Sequence, residues 1–151
     1  MARFKTQGLD KIVQQMKDLG ELKGDVASRM LMAGAEEVKK AWQKAAEIHG
    51  HILTEQMKNS IGYARRPSEI GDVRLIDIYP QGKSTYTELD GKRTERKKPV
   101  RNAEIAFILH YGTSRRPGSH WVDTADELSE EPVQAAMEAI WDQELKKKGL
   151  I

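Results

Sequence analysis

Residues 25–48 read DVASRMLMAGAEEVKKAWQKAAEI, and the spacing of apolar side chains in this run decides the fold. Val26, Met30, Leu31, Ala35, Val38, Trp42 and Ala45 recur mainly at intervals of three and four, which places them on one face of an α-helix. Gly34 and Ala41 lie beside that face, and their small size lets another element approach closely. Gly24 breaks the chain ahead of the run, and Asp25 is placed to serve as its N-cap. A helix over these residues is roughly 36 Å long. His49-Gly50-His51 interrupts the pattern.

Toward the N-terminus, Leu9, Ile12, Val13, Met16 and Leu19 form a second stripe, expected as a short amphipathic helix stopped by Gly20. Toward the C-terminus, Thr54 is expected to cap a short helical turn through Met57 and Asn59, leading into Ser60-Ile61-Gly62-Tyr63-Ala64. Residues 72–79 carry Val73, Leu75, Ile76, Ile78 and Tyr79 between Gly71 and Pro80, and read as a strand. Residues 61–65 are its expected antiparallel partner, across a turn at 67–71.

From 81 to 101 the character changes: seven Lys or Arg, three Asp or Glu and almost nothing apolar give a local net charge of +4. That composition predicts a long basic loop, or an arm that orders against a partner. Residues 105–111 fit either a strand or a helix capped by Asn102 and ended by Gly112. Residues 114–119, with Pro117 and Gly118, read as a turn. A closing helical region follows over 122–145, in which Pro132 marks a fresh helix start. Val133, Met137, Ile140, Trp141 and Leu145 supply its apolar stripe, and Lys146 to Lys148 suit its negative end. The expected architecture is one α+β domain over 1–151, without internal repeats: long N-terminal and C-terminal helices packed on a small antiparallel sheet, with a long basic loop.

Bulk composition limits the function classes. The 151 residues are 38% hydrophobic and 32% charged, enough for one modest core in a polar-leaning chain. No cysteine is present, which excludes disulfides and thiolate metal sites. MARFKTQGLDKIV at the start holds no apolar run long enough for a signal peptide, and no stretch of about 18 apolar residues occurs, so a soluble protein is expected. A net charge of +2 by itself argues neither for nor against nucleic acid.

Catalytic signatures are thin. There is no cysteine nucleophile, no Gly-x-Ser-x-Gly elbow and no phosphate-cradling glycine loop. His49 and His51 alternate as chelating residues can, and His110 and His120 flank the 114–119 turn, but zinc needs three or four ligands and the set stays short. No catalytic residue, metal or cofactor is therefore assigned. The basic stretch KRTERKKPVR at 92–101 can neutralise phosphates. It lacks the interleaved aromatics that stack bases, and a solvated loop is the commoner fate of such a run.

Two segments, Thr54-Glu55-Gln56-Met57-Lys58-Asn59-Ser60-Ile61 and residues 105–113 with the turn that follows, together resemble the tail-completion or neck proteins of long-tailed bacteriophages and prophages. The first is similar to that family's Thr-Gly-x-Leu-x-x-Ser-Ile-like segment. Ile105-Ala106-Phe107-Ile108-Leu109-His110-Tyr111-Gly112-Thr113 is similar to its Tyr-Ala-x-x-x-Glu-x-Gly-Thr element, with Pro117-Gly118-Ser119-His120-Trp121-Val122 as the turn into the last helix. Order and spacing match over nearly the whole chain. Glu55 (for Gly), Ile105 (for Tyr) and His110 (for Glu) depart from the family pattern.

The resemblance implies a non-enzymatic virion protein of the neck or tail, made in the host bacterial cytoplasm. It would assemble with itself as a ring, taken as a hexamer, that joins tail to DNA-filled head. Implied partners are its own copies, neighbouring neck or tail proteins and the DNA backbone in the lumen; no membrane is involved. Thr54, Ser60, Ile61, Tyr111, Gly112, Thr113, His120 and Trp121 are the implied motif and interface positions. Gly112 would turn the chain sharply with Thr113 capping it. Tyr111 and Trp121 would bracket the turn as interface anchors, or pack into the subunit's own core. Lys83, Lys92, Arg93, Arg96, Lys97, Lys98 and Arg101 are the arm residues expected to meet DNA or a partner. The competing expectations are a small DNA-binding regulator that uses the arm, and a small hydrolase or metal protein with His110 and His120 in one pocket.

Overall fold

The computed structural model describes residues 24–51, 55–71, 73–89 and 91–151, together with Gln14, Lys17 and Gly20. The apolar stripe of the helix expected over 9–19 and the cap expected at Thr54 fall outside these residues; Gln14, Lys17 and Gly20 are helical, so Gly20 does not stop that helix as expected. The chain is α+β, with two long helices and small antiparallel sheets.

Helix α1 spans Asp25–Ile48, as its periodicity predicts. Gly24 takes the N-cap position, and Asp25 does not cap; its carboxylate instead accepts from Arg29 Nε at 3.0 Å, one turn further on. Its buried positions are Val26, Gly34, Ala35, Ala41, Ala45 and Ala46, so small residues make the tightest contact line. The last helix, α4, spans Trp121–Lys147 and runs antiparallel along α1. A Cβ on Gly34 would lie only 3.3 Å from Val133 Cγ1 and 3.4 Å from Met137 Sδ, which is why the helices approach so closely there. At one end Trp42 and Trp121 meet edge to face with centroids 5.3 Å apart. At the other, Arg29 pairs with Glu144 at 2.6 Å, and its guanidinium holds the Glu144 carboxyl below the usual range.

Pro132 does not start a new helix; it lies inside α4. Its missing N–H deletes one backbone bond, and contacts to α1 before, at and beyond that point keep α4 a single helix. A short helix, α2 (Gln56–Asn59), leads into strand β1 (Ile61–Tyr63). The single strand expected over 72–79 is two. Strand β2 (Ser68–Ile70) folds back onto β3 (Val73–Leu75) through Gly71, whose φ of +59° suits glycine. The chain then breaks at 76–77, and β4 (Ile78–Pro80) pairs antiparallel with β1 in the register Ile61↔Pro80. Tyr63 donates to Glu36 at 2.6 Å, tying β1 to α1; that bond pushes its phenol up to about 12. Arg74 joins β3 to the start of α1 by donating to Ser28 Oγ at 2.9 Å.

Residues 81–101 are not a loop. They form a two-stranded hairpin, β5 (Lys83–Leu89) and β6 (Lys92–Arg101). Helix α3 (Asn102–Tyr111) follows directly, which settles the helix-or-strand ambiguity. Asn102 is its first residue and not its cap; the side chain donates to Gln81 O at 2.7 Å and accepts from Ser84 Oγ, fastening the hairpin root. A miniature hairpin, β7 (Gly112–Thr113) with β8 (Arg116–Pro117), then joins α3 to α4. The core gathers Ala45, Ala46, Met57, Ile61, Ala106, Trp121 and Ala125, so α1, α2, α3 and α4 each contribute to it. Among the described residues no helix is long and apolar enough to cross a membrane.

Candidate functional site: the corner between α3 and α4, and the basic hairpin

The corner is closed by two glycines whose backbones touch. Gly112 has φ +82°, and a Cβ there would run into Gly118 N and Arg116 O. A Cβ on Gly118 would strike the His110 carbonyl oxygen and the backbone of Tyr111. Ser119 N and His120 N donate to Leu109 O (2.9 Å) and His110 O (3.1 Å), satisfying carbonyls at the end of α3. His120, at φ +52°, occupies the N-cap position of α4. Thr113 does not cap a helix; its Oγ1 accepts from Arg115 N at 3.3 Å within the small turn.

This corner divides the expected anchors. Trp121 is 0% exposed, and its Nε1 donates to Ala106 O at 3.2 Å, so it belongs to the core and not to a free surface. Ile61 is likewise buried. Ser60 Oγ donates to Met57 O at 2.7 Å and serves the local turn. Tyr111 faces outward at 62% exposure, and Phe107, one turn earlier, is equally exposed, with ring centroids 4.7 Å apart. Tyr79 lines the same shallow cleft. The residues of the two resembling segments therefore meet in one core, while Phe107 and Tyr111 are left on its outer side.

All four histidines gather near this corner. His49 and Thr124 are bonded at 2.8 Å, and His51 Nε2 lies 2.8 Å from Ser119 Oγ. The Ser119 proton is directed at Leu109 O (2.9 Å), so His51 Nε2–H is the donor of that pair. His110 and His120 lie 5.1 Å apart as rings, and Asp123 completes a three-residue group whose ligand atoms fall within 4.8 Å of one another. His110 Nδ1 accepts the Val122 amide at 3.3 Å, so in the neutral ring Nε2 carries the proton and faces Asp123 Oδ1 at 3.9 Å. That tautomer presents no lone pair to a cation, and the donor set fits an ordering contact better than a metal.

Burial, followed by the nearby charges of His49 and Arg116, lowers the His51 pKa from 6.5. The folded chain thus resists protonation at His51. The associated stability is complete above 6.5 and is lost as pH falls toward the lower folded value. Urea midpoints should accordingly drop between pH 7.5 and about pH 5, and His51→Gln should flatten part of that drop. An unchanged profile in the variant would contradict this assignment.

The hairpin carries all seven expected arm residues. Lys83, Lys92, Arg93, Lys97, Lys98 and Arg101 are exposed, and Arg96 is half-buried where its Nε donates to Tyr86 O at 2.9 Å. Arg93 lies 3.9 Å above the Tyr86 ring. Where the register slips between Ser84 and Tyr86, Gln56 Oε1 accepts both freed amides, Thr85 N at 2.9 Å and Tyr86 N at 3.0 Å. Among the described residues none of the seven cations is ion-paired. A cleft of about 400 Å³ opens between the hairpin and α3, lined in part by His51, Ser84, Arg96, Glu104 and Arg116. His51 and Ser84 are already committed to Ser119 and Asn102, so they do not form a nucleophile–base pair there.

Comparison of the chain with protein-family models, curated proteins and solved structures finds no match in any of the three.

Proposed function

We propose that this chain is a non-catalytic structural subunit of a phage head–tail connector, assembling as a ring at the neck and joining tail to head. The observation that carries the reading is the glycine-locked corner with Phe107 and Tyr111, each 62% exposed, on its outer side. Two aromatic rings held rigidly on solvent are disfavoured in an isolated chain and suit the centre of a protein–protein contact. The corner lies within the segment that resembles the family motif, and the basic hairpin, whose seven cations form no ion pair among the described residues, leads directly into the same helix, α3.

The hairpin provides the test. Ser84 and Asn102 fasten its root, so removal of the entire arm would also damage the fold. Replacing residues 87–94 by Asn-Gly joins Tyr86 to Glu95, already register partners, through a two-residue turn. This variant should keep the parent circular dichroism spectrum and lose the ability to join purified heads to tails. Normal particle assembly would defeat a role for the arm's tip, residues 87–94.

A second reading, a DNA-binding regulator, draws support from the hairpin being a two-stranded basic ribbon, a shape that fits the major groove. It requires duplex affinity in the isolated protein that falls steeply with salt. The connector reading expects little.

A further inference from the structure

The charges of this chain are sorted by element. From 117 to 145 there are eight Asp and Glu and no Lys or Arg, whereas 81–101 carry a net +4. On α4, Asp126, Glu127, Glu130, Glu131, Glu138 and Asp142 are exposed, and none has a cationic partner among the described residues. Spacings of three, four and seven gather these carboxylates on one side of the helix, a ridge about 24 Å long. Like charges so placed repel one another, and a cationic neighbour relieves that repulsion. The exposed cations from Lys92 to Lys98 extend over about 20 Å of strand, a length that matches the ridge.

Within one chain the hairpin packs mainly on α2 and α3, and among the described residues no ion pair joins it to α4. We propose that the basic hairpin of one copy lies along the acidic ridge of α4 on the next copy. This rests on the assembly reading above and names the contact within it. Two unlike, mutually complementary surfaces on one chain define a head-to-tail contact, the kind that closes into a ring or continues as a filament. Both surfaces are exposed polar rims, so the contact sets register and partner choice and weakens as salt rises.

The test is sedimentation of the full chain, which should exceed its 17.1 kDa monomer mass near 0.01 M salt, where screening extends ~30 Å, and return to monomer near 1 M, where it extends ~3 Å. Two triple variants reverse one surface each: K92E/K97E/K98E and E127K/E130K/E131K. All six side chains are exposed, and circular dichroism checks that the fold is kept. Each variant alone should stay monomeric. An equimolar mixture should recover the assembly, as should one chain carrying both reversals. Assembly by either triple variant alone, failure of the mixture to recover, or a monomeric parent at low salt would overturn the contact. A monomeric parent that binds duplex DNA through Lys92, Lys97 and Lys98 would overturn it too, and would give the hairpin to DNA. Head–tail joining is read separately. Charge-dependent assembly in a chain that joins no particles would keep the contact and remove the connector role. Joining by variants that cannot pair would do the reverse.

Discussion

Trp121→Ala is expected to lower the unfolding free energy by about 4 kcal/mol, the range for truncating a buried aromatic. The Trp121 side chain combines complete burial, an edge-to-face contact with Trp42 at 5.3 Å and a bond from Nε1 to Ala106 O at 3.2 Å. Its removal leaves a cavity where α1, α3 and α4 meet, and those helices carry most of the core. Because a domain's total stability is only about 5–15 kcal/mol, the variant should melt roughly 10 °C lower or fail to fold at 37 °C. Trp121→Phe separates packing from hydrogen bonding. It keeps a ring in the site and loses the N–H donor, so a smaller loss, about 1 kcal/mol or somewhat more, is expected. Equal losses for the two variants in urea denaturation would contradict the packing account.

Gly118→Ala should be comparably severe, for a different reason. The added methyl meets backbone, the His110 carbonyl and the Tyr111 peptide, and backbone cannot swing aside as a side chain can. Overpacking against a fixed main chain is expected to cost about 3 kcal/mol. Relief requires the corner to open, which separates Ser119 and His120 from the carbonyls they satisfy and changes the aim of Tyr111. The result should be a disturbed near-ultraviolet signal from Trp121 with most helical content retained. Gly50→Ala is the control: its φ is also positive, +72°, but open space surrounds it, so only about 1 kcal/mol of left-handed strain applies. A Gly118 variant no worse than the Gly50 variant would show that the corner is not locked as described.

The long helices were legible because their signal is redundant. In α1, apolar spacing, small residues and flanking glycines agree, and the helix spans Asp25–Ile48 as read. The caps were less legible: aspartate and asparagine favour N-caps generally, yet Asp25 pairs with Arg29 and Asn102 fastens the hairpin. The strand over 72–79 was read as one because Val73, Leu75, Ile76, Ile78 and Tyr79 crowd it with apolar residues; the break falls at 76–77, where Asp77 was the polar interruption.

The hairpin was missed because neither of its faces builds the core, so no apolar alternation marks it. Two signals were nonetheless present. Asp90-Gly91 is a strong two-residue turn signature, and Thr85, Tyr86, Thr87, Thr94 and Val100 favour extended backbone. Pro132 misled in the opposite direction, since contacts along α1 outweigh one lost backbone bond. At the corner, the sequence placed Tyr111 and Trp121 together but could not divide them; only packing put Trp121 inside and Tyr111 outside. The charge segregation between α4 and the hairpin was readable from composition alone, but its meaning depends on knowing that, among the described residues, no ion pair joins the two.

The central claim is that these surfaces mate with other protein in a virion, and electron microscopy of purified heads incubated with the folded chain tests it most directly. The account predicts density for the chain at a single vertex, where the tail attaches, and tails joined only when it is present. Heads and tails that ignore the protein at every concentration would contradict it.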